Sequence, residues 1–167
     1  MYSQVTQSDG KYLDLRDLAV VVLDDNANTR TLISEVLHGL GVRRIYRTGS
    51  SAEALSVMKS HVIDVLFADI ELGGEDGLSF IRRFRAAPEP KIANVASIIV
   101  SSHATEARVM EAGVVGADGF LSKPFTVGAL AKRLTEGLAA RRHMARTPPK
   151  TTARNLAQAA ASNQIEL

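Results

Sequence analysis

The side chains in this sequence that could do chemistry together are three carboxylates, a hydroxyl and an amine. They are Asp24, Asp25, Asp69, Ser101 and Lys123. Each lies at or just after the end of a short apolar segment, and the carboxyl ends of parallel strands meet at one edge of an α/β sheet. We therefore expect one cleft that all five side chains line. Clustered carboxylates repel one another unless a cation lies among them, and oxygen ligands favour a hard ion such as Mg²⁺.

A carboxylate nucleophile, a metal ion and a lysine are parts that phosphoryl transfer uses. Lys123 could pair with one phosphoryl oxygen, and the Ser101 hydroxyl could donate a hydrogen bond to another. Taken singly, each residue has a simpler explanation. Asp24 and Asp25 could be acidic residues at a helix N-terminus, Asp69 a turn residue and Lys123 a solvated charge. Only their combination at one sheet edge predicts this chemistry.

Apolar segments of strand length alternate with amphipathic segments between residues 18 and 140. They predict five strands, at residues 19–23, 43–48, 63–69, 95–101 and 119–121. Helical spacing follows each strand. We expect Asn28 to cap the first helix, and the last helix to run from Thr126 to about Ala140. Because parallel strands need crossover connections that cover both faces of the sheet, the pattern predicts a doubly wound α/β fold with a five-stranded parallel sheet.

Composition and charge exclude several classes of protein. The 167 residues include no cysteine, which excludes disulfides, thiol chemistry and zinc fingers. The longest apolar runs are strand-sized and the first ten residues lack a signal-peptide pattern, so we expect a cytoplasmic protein without membrane insertion. Residues 141–167 carry five basic side chains and one acidic side chain. Since no aromatic residue there could stack on bases, nucleic acid is not an expected partner.

The sequence predicts three segments along the chain. Residues 1–17 would form an N-terminal extension, residues 18–140 the α/β domain, and residues 141–167 a basic linker and tail whose later part has helix propensity. The tail is too short for an independent output domain, so we expect a stand-alone domain. The tail could dock on its own domain, on a second copy in a homodimer, or on a target.

The motifs of residues 18–140 resemble the receiver domain of bacterial response regulators. The spacings match that family: 45 positions from Asp24 to Asp69, 32 from Asp69 to Ser101, and 22 from Ser101 to Lys123. The other shared motifs are Asp24-Asp25-Asn26, Gly77-Leu78, Gly116-Ala117-Asp118-Gly119-Phe120 and Lys123-Pro124-Phe125. The resemblance implies a flavodoxin-like topology with the strand order 2-1-3-4-5.

The resemblance also implies separate roles for the acidic residues. Asp69 would be the phospho-acceptor. Mg²⁺ would be bound by the carboxylates of Asp24, Asp25 and Asp69, together with the backbone carbonyl of Glu71.

Other roles implied by the resemblance concern the phosphoryl group and the signal. Ser101 would bind the phosphoryl group and Lys123 would pair with it, next to a cis Lys123-Pro124 peptide bond. Phe120 would occupy the aromatic switch position and turn inward as Ser101 moves. The face made by the fourth helix, fifth strand and fifth helix would then contact a partner. His103, like Glu71, lies where side chains influence dephosphorylation in the family.

The function implied is a phosphorylation-controlled signalling switch. It would take its phosphoryl group from a histidine kinase or histidine phosphotransfer protein and act by contact with a downstream protein. It would not be an enzyme, apart from Mg²⁺-dependent self-phosphorylation and autodephosphorylation. Two alternatives stay open: a phosphorylation-independent interaction module, because Leu72-Gly73-Gly74 replaces the usual Met-Pro of the family, and a phosphate shuttle or sink in a phosphorelay.

Overall fold

The computed structural model describes residues 4–6 and 12–146. Two short strands come first, β1 (Gln4–Thr6) and β2 (Tyr12–Asp14), and a 3₁₀ turn follows at Leu15–Asp17. The later elements are, in chain order, β3 (Ala19–Leu23), α1 (Ala27–Gly39), β4 (Arg44–Thr48), α2 (Ser51–Ser60), β5 (Val65–Asp69), β6 (Glu71–Leu72), β7 (Glu75–Asp76), α3 (Gly77–Arg85), α4 (Pro90–Ala93), β8 (Ala96–Ser101), α5 (Glu106–Val115), β9 (Gly119–Ser122) and α6 (Val127–Arg146).

The centre of the fold is a five-stranded parallel sheet in the order β4-β3-β5-β8-β9. These are the second, first, third, fourth and fifth strands of the sequence prediction. The predicted order 2-1-3-4-5 and the doubly wound α/β class are therefore confirmed. Leu23 lies opposite both Thr48 and Ala68, and Asp69 lies opposite Val100. This register brings the carboxyl ends of the central strands to one edge of the sheet.

Helices cover both faces of the sheet because alternate strand residues point to opposite faces. Val20 and Val22 of β3 belong to a buried cluster that includes residues of α1 and α6. Val21 and Leu23 belong to a second cluster with residues of α2, α3, α4 and α5. Because both faces are covered, all five residues of β3 are buried, and the strand is an unbroken apolar run.

The cap of the first helix lies two residues before the predicted position. Asn26, not Asn28, has the extended backbone of a cap, and its side chain accepts hydrogen bonds from the N–H groups of Asn28 and Thr29. Asn28 is already inside the helix, so its own side chain cannot serve as the cap. This earlier start shortens the connection from Asp25 to α1.

Both ends of the domain are longer than the sequence predicted. α6 continues through Arg146, past the expected end near Ala140, so residues 141–146 are helix and not linker. At the other end, Leu13, Leu15 and Leu18 are buried in the cluster with α1 and α6. Residues 1–3, 7–11 and 147–167, which include most of the predicted tail, lie outside the described residues. In the part of the chain that is described, no helix combines the length and apolarity needed to cross a membrane.

Candidate functional site

The predicted site residues come together at the carboxyl edge of the sheet. Asp24 follows the last residue of β3, Asp69 is the last residue of β5, Ser101 is the last of β8, and Lys123 follows β9. One oxygen atom from each of Asp24, Asp25 and Asp69 lies within 4.8 Å of the others. Asp24 is buried, Asp69 is partly buried and Asp25 is exposed, so the cluster opens to solvent on one side.

Lys123 supplies a positive charge to this cluster. Its Nζ atom lies 3.2 Å from Oδ2 of Asp24 and 3.3 Å from Oδ2 of Asp69. The backbone N–H of Lys123 donates a 2.8 Å hydrogen bond to the carbonyl oxygen of Ser101, which fixes the end of β9 against the end of β8. The Lys123–Pro124 peptide bond is cis. The amine therefore points at two carboxylates that come from two other strands.

The environment of Asp24 raises the pKa of its carboxyl group above the ordinary value. Burial is the largest cause, because removal from water disfavours the ionised form, and the nearby carboxylate of Asp69 acts in the same direction. The backbone N–H of Asn26, 2.8 Å from Oδ1 of Asp24, and the charge of Lys123 oppose this shift. Burial thus makes ionisation of the Asp24 carboxyl group less favourable than in water.

The all-oxygen donor set of this cluster fits a hard divalent cation. Three carboxylates with one lysine leave an excess of negative charge, and Mg²⁺ is usually bound by carboxylates while water or substrate oxygens fill its other coordination positions. Residues Asp24, Asp25 and Asp69 are those that the sequence singled out. The backbone of Glu71 lies beside them, since its N–H donates a 3.3 Å hydrogen bond to Oδ1 of Asp69.

Ser101 and its neighbours form another wall of the site. Ser101, the last residue of β8, is buried, and Ser102, which follows the strand, is exposed. The Ser101 Oγ atom accepts a 3.1 Å hydrogen bond from the backbone N–H of His103. The ring of His103 lies with Nδ1 3.3 Å from Oε1 of Glu71. These two exposed side chains join β6 to the loop that follows β8, a contact that their separate positions in the sequence did not reveal.

Phe120 lies on β9, half-buried, and packs against the cluster that includes α3 and α5. It also lines an open groove of about 790 Å³ between the α5 and α6 sides, together with Val109, Pro124, Phe125 and Lys132. The aromatic ring therefore lies between the buried cluster that includes α3 and α5 residues and the open groove at the surface.

Two further contacts near the site escaped the sequence analysis. Nη1 of Arg30, on α1, donates a 2.6 Å hydrogen bond to the carbonyl oxygen of Asp24. The Ser51 hydroxyl donates to the carboxylate of Glu75, which also forms a 3.0 Å ion pair with Arg83. This second contact fixes the small β6–β7 hairpin that follows Asp69. The sequence predicts neither contact, because it shows only a polar residue, Arg30 or Ser51, in the first turn of a helix.

A doubly wound sheet that carries three carboxylates, a hydroxyl and a lysine at its carboxyl edge defines a CheY-like α/β domain, and comparison with known proteins agrees. A family model for the response regulator receiver domain matches residues 20–135. The chain belongs to this family, whose members are phosphorylation-controlled switches of two-component signalling.

One curated relative supports the family, and two solved structures share the fold. Over 110 residues the chain is 30% identical to the probable chemotaxis protein CheY of Rhizobium etli, an alignment that covers 66% of this chain and 84% of that protein. Vibrio cholerae CheY4 superposes with a TM-score of 0.65 at 23% identity, covering 72% of this chain and 98% of that one. CheY of Borrelia burgdorferi, in a complex with CheX, BeF₃ and Mg²⁺, superposes with a TM-score of 0.64 at 23% identity, covering 70% and 86%.

Proposed function

We propose that this chain is a signalling switch in which Asp69 accepts a phosphoryl group from a histidine kinase or histidine phosphotransfer protein. The observation that carries the proposal is the position of Asp69. Its carboxylate lies partly exposed at a sheet edge, within 4.8 Å of two other carboxylates and 3.3 Å from an ammonium group. That convergence argues against the alternative in which only the fold persists and the phosphorylation chemistry is lost.

The cation in this proposal is Mg²⁺, held by the carboxylates of Asp24, Asp25 and Asp69 and by the backbone carbonyl of Glu71. The support is the oxygen-only donor set and the excess of negative charge in the cluster. When bound, Mg²⁺ would offset the negative charge of the carboxylates and of the incoming phosphoryl oxygens. The complex of Borrelia burgdorferi CheY contains both Mg²⁺ and BeF₃.

The transfer step needs few groups from the protein itself. A carboxylate oxygen of Asp69 attacks the phosphorus atom of a phosphohistidine. The P–N bond breaks, its electron pair stays on the imidazole, and an acyl phosphate forms on Asp69. Lys123 pairs with a phosphoryl oxygen, and the Ser101 hydroxyl donates a hydrogen bond to another. In autodephosphorylation, water attacks the same phosphorus atom and returns the carboxylate and inorganic phosphate.

The output of the switch passes through the face made by α5, β9 and α6. Three apolar side chains of α5, those of Val109, Met110 and Val114, are exposed there, and Phe120 lines the groove beside them. We propose that Ser101 moves toward the phosphoryl group and that Phe120 turns inward after it. Phe120 has no hydroxyl, so its rotation changes only the packing and shape of this face. A downstream protein would read that change as a shift in population.

A small phosphodonor tests the acceptor. Acetyl phosphate with Mg²⁺ should add one phosphoryl group to the protein, measured by intact-mass spectrometry. Asp69→Asn should stay unmodified, while Asp17→Asn, which changes an exposed aspartate in the 3₁₀ turn, should react as the wild type does. Removal of Mg²⁺ with EDTA should suppress the reaction in the wild type and in Asp17→Asn.

Two results would refute the proposal. Stoichiometric phosphorylation of Asp69→Asn would place the acceptor elsewhere, and absence of any adduct on the folded wild type would remove the function. BeF₃⁻ with Mg²⁺ gives a second readout, because an active site should produce NMR shift changes at Ser101 and Phe120 that Asp69→Asn lacks.

A further inference from the structure

We propose that Arg30 and Gly49 act as a pair that positions the Asp24–Asp25 segment for cation binding, with Arg30 as the positioning residue. The inference rests on the metal site of the proposed function. It starts from the 2.6 Å hydrogen bond that Nη1 of Arg30 donates to the backbone carbonyl oxygen of Asp24. Neither residue touches the acceptor carboxylate, so both would act through the backbone.

The carbonyl group of Asp24 lies where the β3–β4 ladder stops. The N–H of Asp24 still donates to the carbonyl oxygen of Thr48, the last residue of β4. In a parallel ladder the Asp24 carbonyl would next accept from the N–H two residues after Thr48. That residue is Ser50, the N-cap of α2, and in the described part of the chain its N–H does not donate to the Asp24 carbonyl oxygen. Among the described residues, the Arg30 guanidinium takes the place of this strand donor.

Gly49 supplies the space in which the guanidinium lies. Gly49 is not among the glycines with positive φ, so its backbone conformation is open to any residue. A Cβ atom at Gly49, however, would lie 3.2 Å from Nη1 of Arg30, closer than an ordinary contact. Glycine at position 49 therefore leaves room for the Arg30 guanidinium, and the backbone conformation of the turn does not require it.

The bond acts on the peptide group that joins two candidate metal ligands. The Asp24 carboxylate is fixed separately, by the Asn26 N–H at 2.8 Å and by Lys123 at 3.2 Å. Asp25 is exposed and its orientation follows from the peptide plane before it. A charge-assisted bond from Arg30 fixes that plane. Preorganised ligands bind a cation more tightly because less ordering is needed on binding.

Titration with Mg²⁺ alone tests this inference, with calorimetry or NMR as the readout. Arg30→Met should bind Mg²⁺ about 3- to 10-fold more weakly, since one charge-assisted hydrogen bond is lost. Arg30→Lys should recover most of the affinity, because its ammonium can still donate to a carbonyl oxygen. Gly49→Ala should weaken binding about 2-fold by displacing the guanidinium by a few tenths of an ångström. In metal-free protein, the carbonyl ¹³C chemical shift of Asp24 should change most in Arg30→Met and less in Gly49→Ala and Arg30→Lys.

Matched controls separate positioning from general destabilisation. Gly39→Ala adds a Cβ on the same helix as Arg30 with no atom within 4 Å, and Arg82→Met removes an exposed arginine from α3. Both should bind Mg²⁺ as the wild type does. If Arg30→Met and Gly49→Ala lower the melting temperature but keep wild-type affinity, the inference is overturned while the proposed function stands. If the folded wild type does not bind Mg²⁺, the proposed metal site fails and the inference fails with it.

Discussion

The Nζ atom of Lys123 lies 3.3 Å from Oδ2 of Asp69, although the two residues are 54 positions apart in the chain. The same ammonium group lies 3.2 Å from Oδ2 of Asp24. One lysine therefore neutralises part of the charge of two carboxylates that come from different strands. In the proposed mechanism this amine must exchange a carboxylate partner for a phosphoryl oxygen, so its pairing also links the resting site to the phosphorylated one.

Replacing Lys123 with methionine should destabilise the metal-free protein by about 1–3 kcal/mol. The substitution leaves the buried carboxylate of Asp24 without its cation, and such a loss typically exceeds the value of an exposed ion pair. Urea unfolding in EDTA measures the change. Lys132→Met is the control, because Lys132 is exposed on α6 and pairs only weakly with Glu136 at 3.9 Å. An equal effect of the two substitutions would contradict the role assigned to Lys123.

Asp24→Asn should have the opposite effect to Lys123→Met and raise the free energy of unfolding of the metal-free protein by about 0.5–2 kcal/mol. The folded-state pKa of Asp24 is raised, chiefly by burial, so ionisation of this group opposes folding. The amide oxygen of asparagine can still accept the hydrogen bond from the N–H of Asn26. The same substitution should abolish tight Mg²⁺ binding, because a charged ligand is removed.

The pH dependence of this gain in stability follows from the sign of the pKa shift. Above the raised pKa, Asp24 is ionised in both folded and unfolded protein, and the folded state carries the full penalty. As the pH falls through the raised pKa, the folded protein takes up a proton first and the penalty disappears. The difference in free energy of unfolding between Asp24→Asn and wild type should therefore shrink toward acidic pH. A difference that grows as the pH falls would show that burial does not raise this pKa.

Much of the site could be predicted because it depends on strand ends, which apolar runs of five or six residues locate well. Asp24, Asp69 and Ser101 each end or follow such a run, Lys123 follows the shorter strand β9, and a parallel sheet brings those ends together. Contacts between loops could not be predicted in this way. The pairing of Glu71 with His103 depends on the paths of two loops, and no periodicity in the sequence encodes those paths.

The ends of the domain were harder to predict for a different reason. Leu13 and Leu15 belong to a short segment that mixes apolar and charged residues, and their burial depends on a surface that only the folded sheet and helices provide. The extension of α6 depends on a tertiary contact as well, since Arg141 pairs with a buried aspartate from a distant loop. Local propensity gives little information about either.

Gly77→Ala should be far more destabilising than Gly74→Ala. A Cβ atom at Gly77 would overlap the backbone carbonyl oxygen of Asp69, whereas a Cβ at Gly74 meets nothing within 4 Å. Relief of this overlap requires movement of the backbone that carries the candidate acceptor, and overpacking of this kind costs about 1–3 kcal/mol or more. Thermal unfolding measures the stability, and acetyl phosphate labelling reports the displacement of Asp69. Comparable melting temperatures for the two variants would contradict the close approach.

Arg141→Met should destabilise the domain by about 1–3 kcal/mol, although the residue lies in the segment that the sequence assigned to a basic linker. Nη2 of Arg141 lies 2.9 Å from Oδ1 of Asp118, whose side chain is 1% exposed, and also donates to the carbonyl oxygen of Gly116. Arg85 binds the same carboxylate at 2.8 Å, and burial lowers the pKa of Arg85 to about 10. The two arginines thus join α3 and α6 to the start of β9.

The neighbouring Arg142 provides the matched control for this prediction, because it is exposed on the same turn of α6. Arg142→Met removes the same charge from the same helix without breaking the contacts to Asp118, so its free energy of unfolding should stay within about 0.5 kcal/mol of the wild type. Urea unfolding of both variants at equal ionic strength separates the loss of a buried contact from a change in net charge. If Arg141→Met is no more destabilising than Arg142→Met, the contacts of Arg141 with Asp118 do not stabilise the domain.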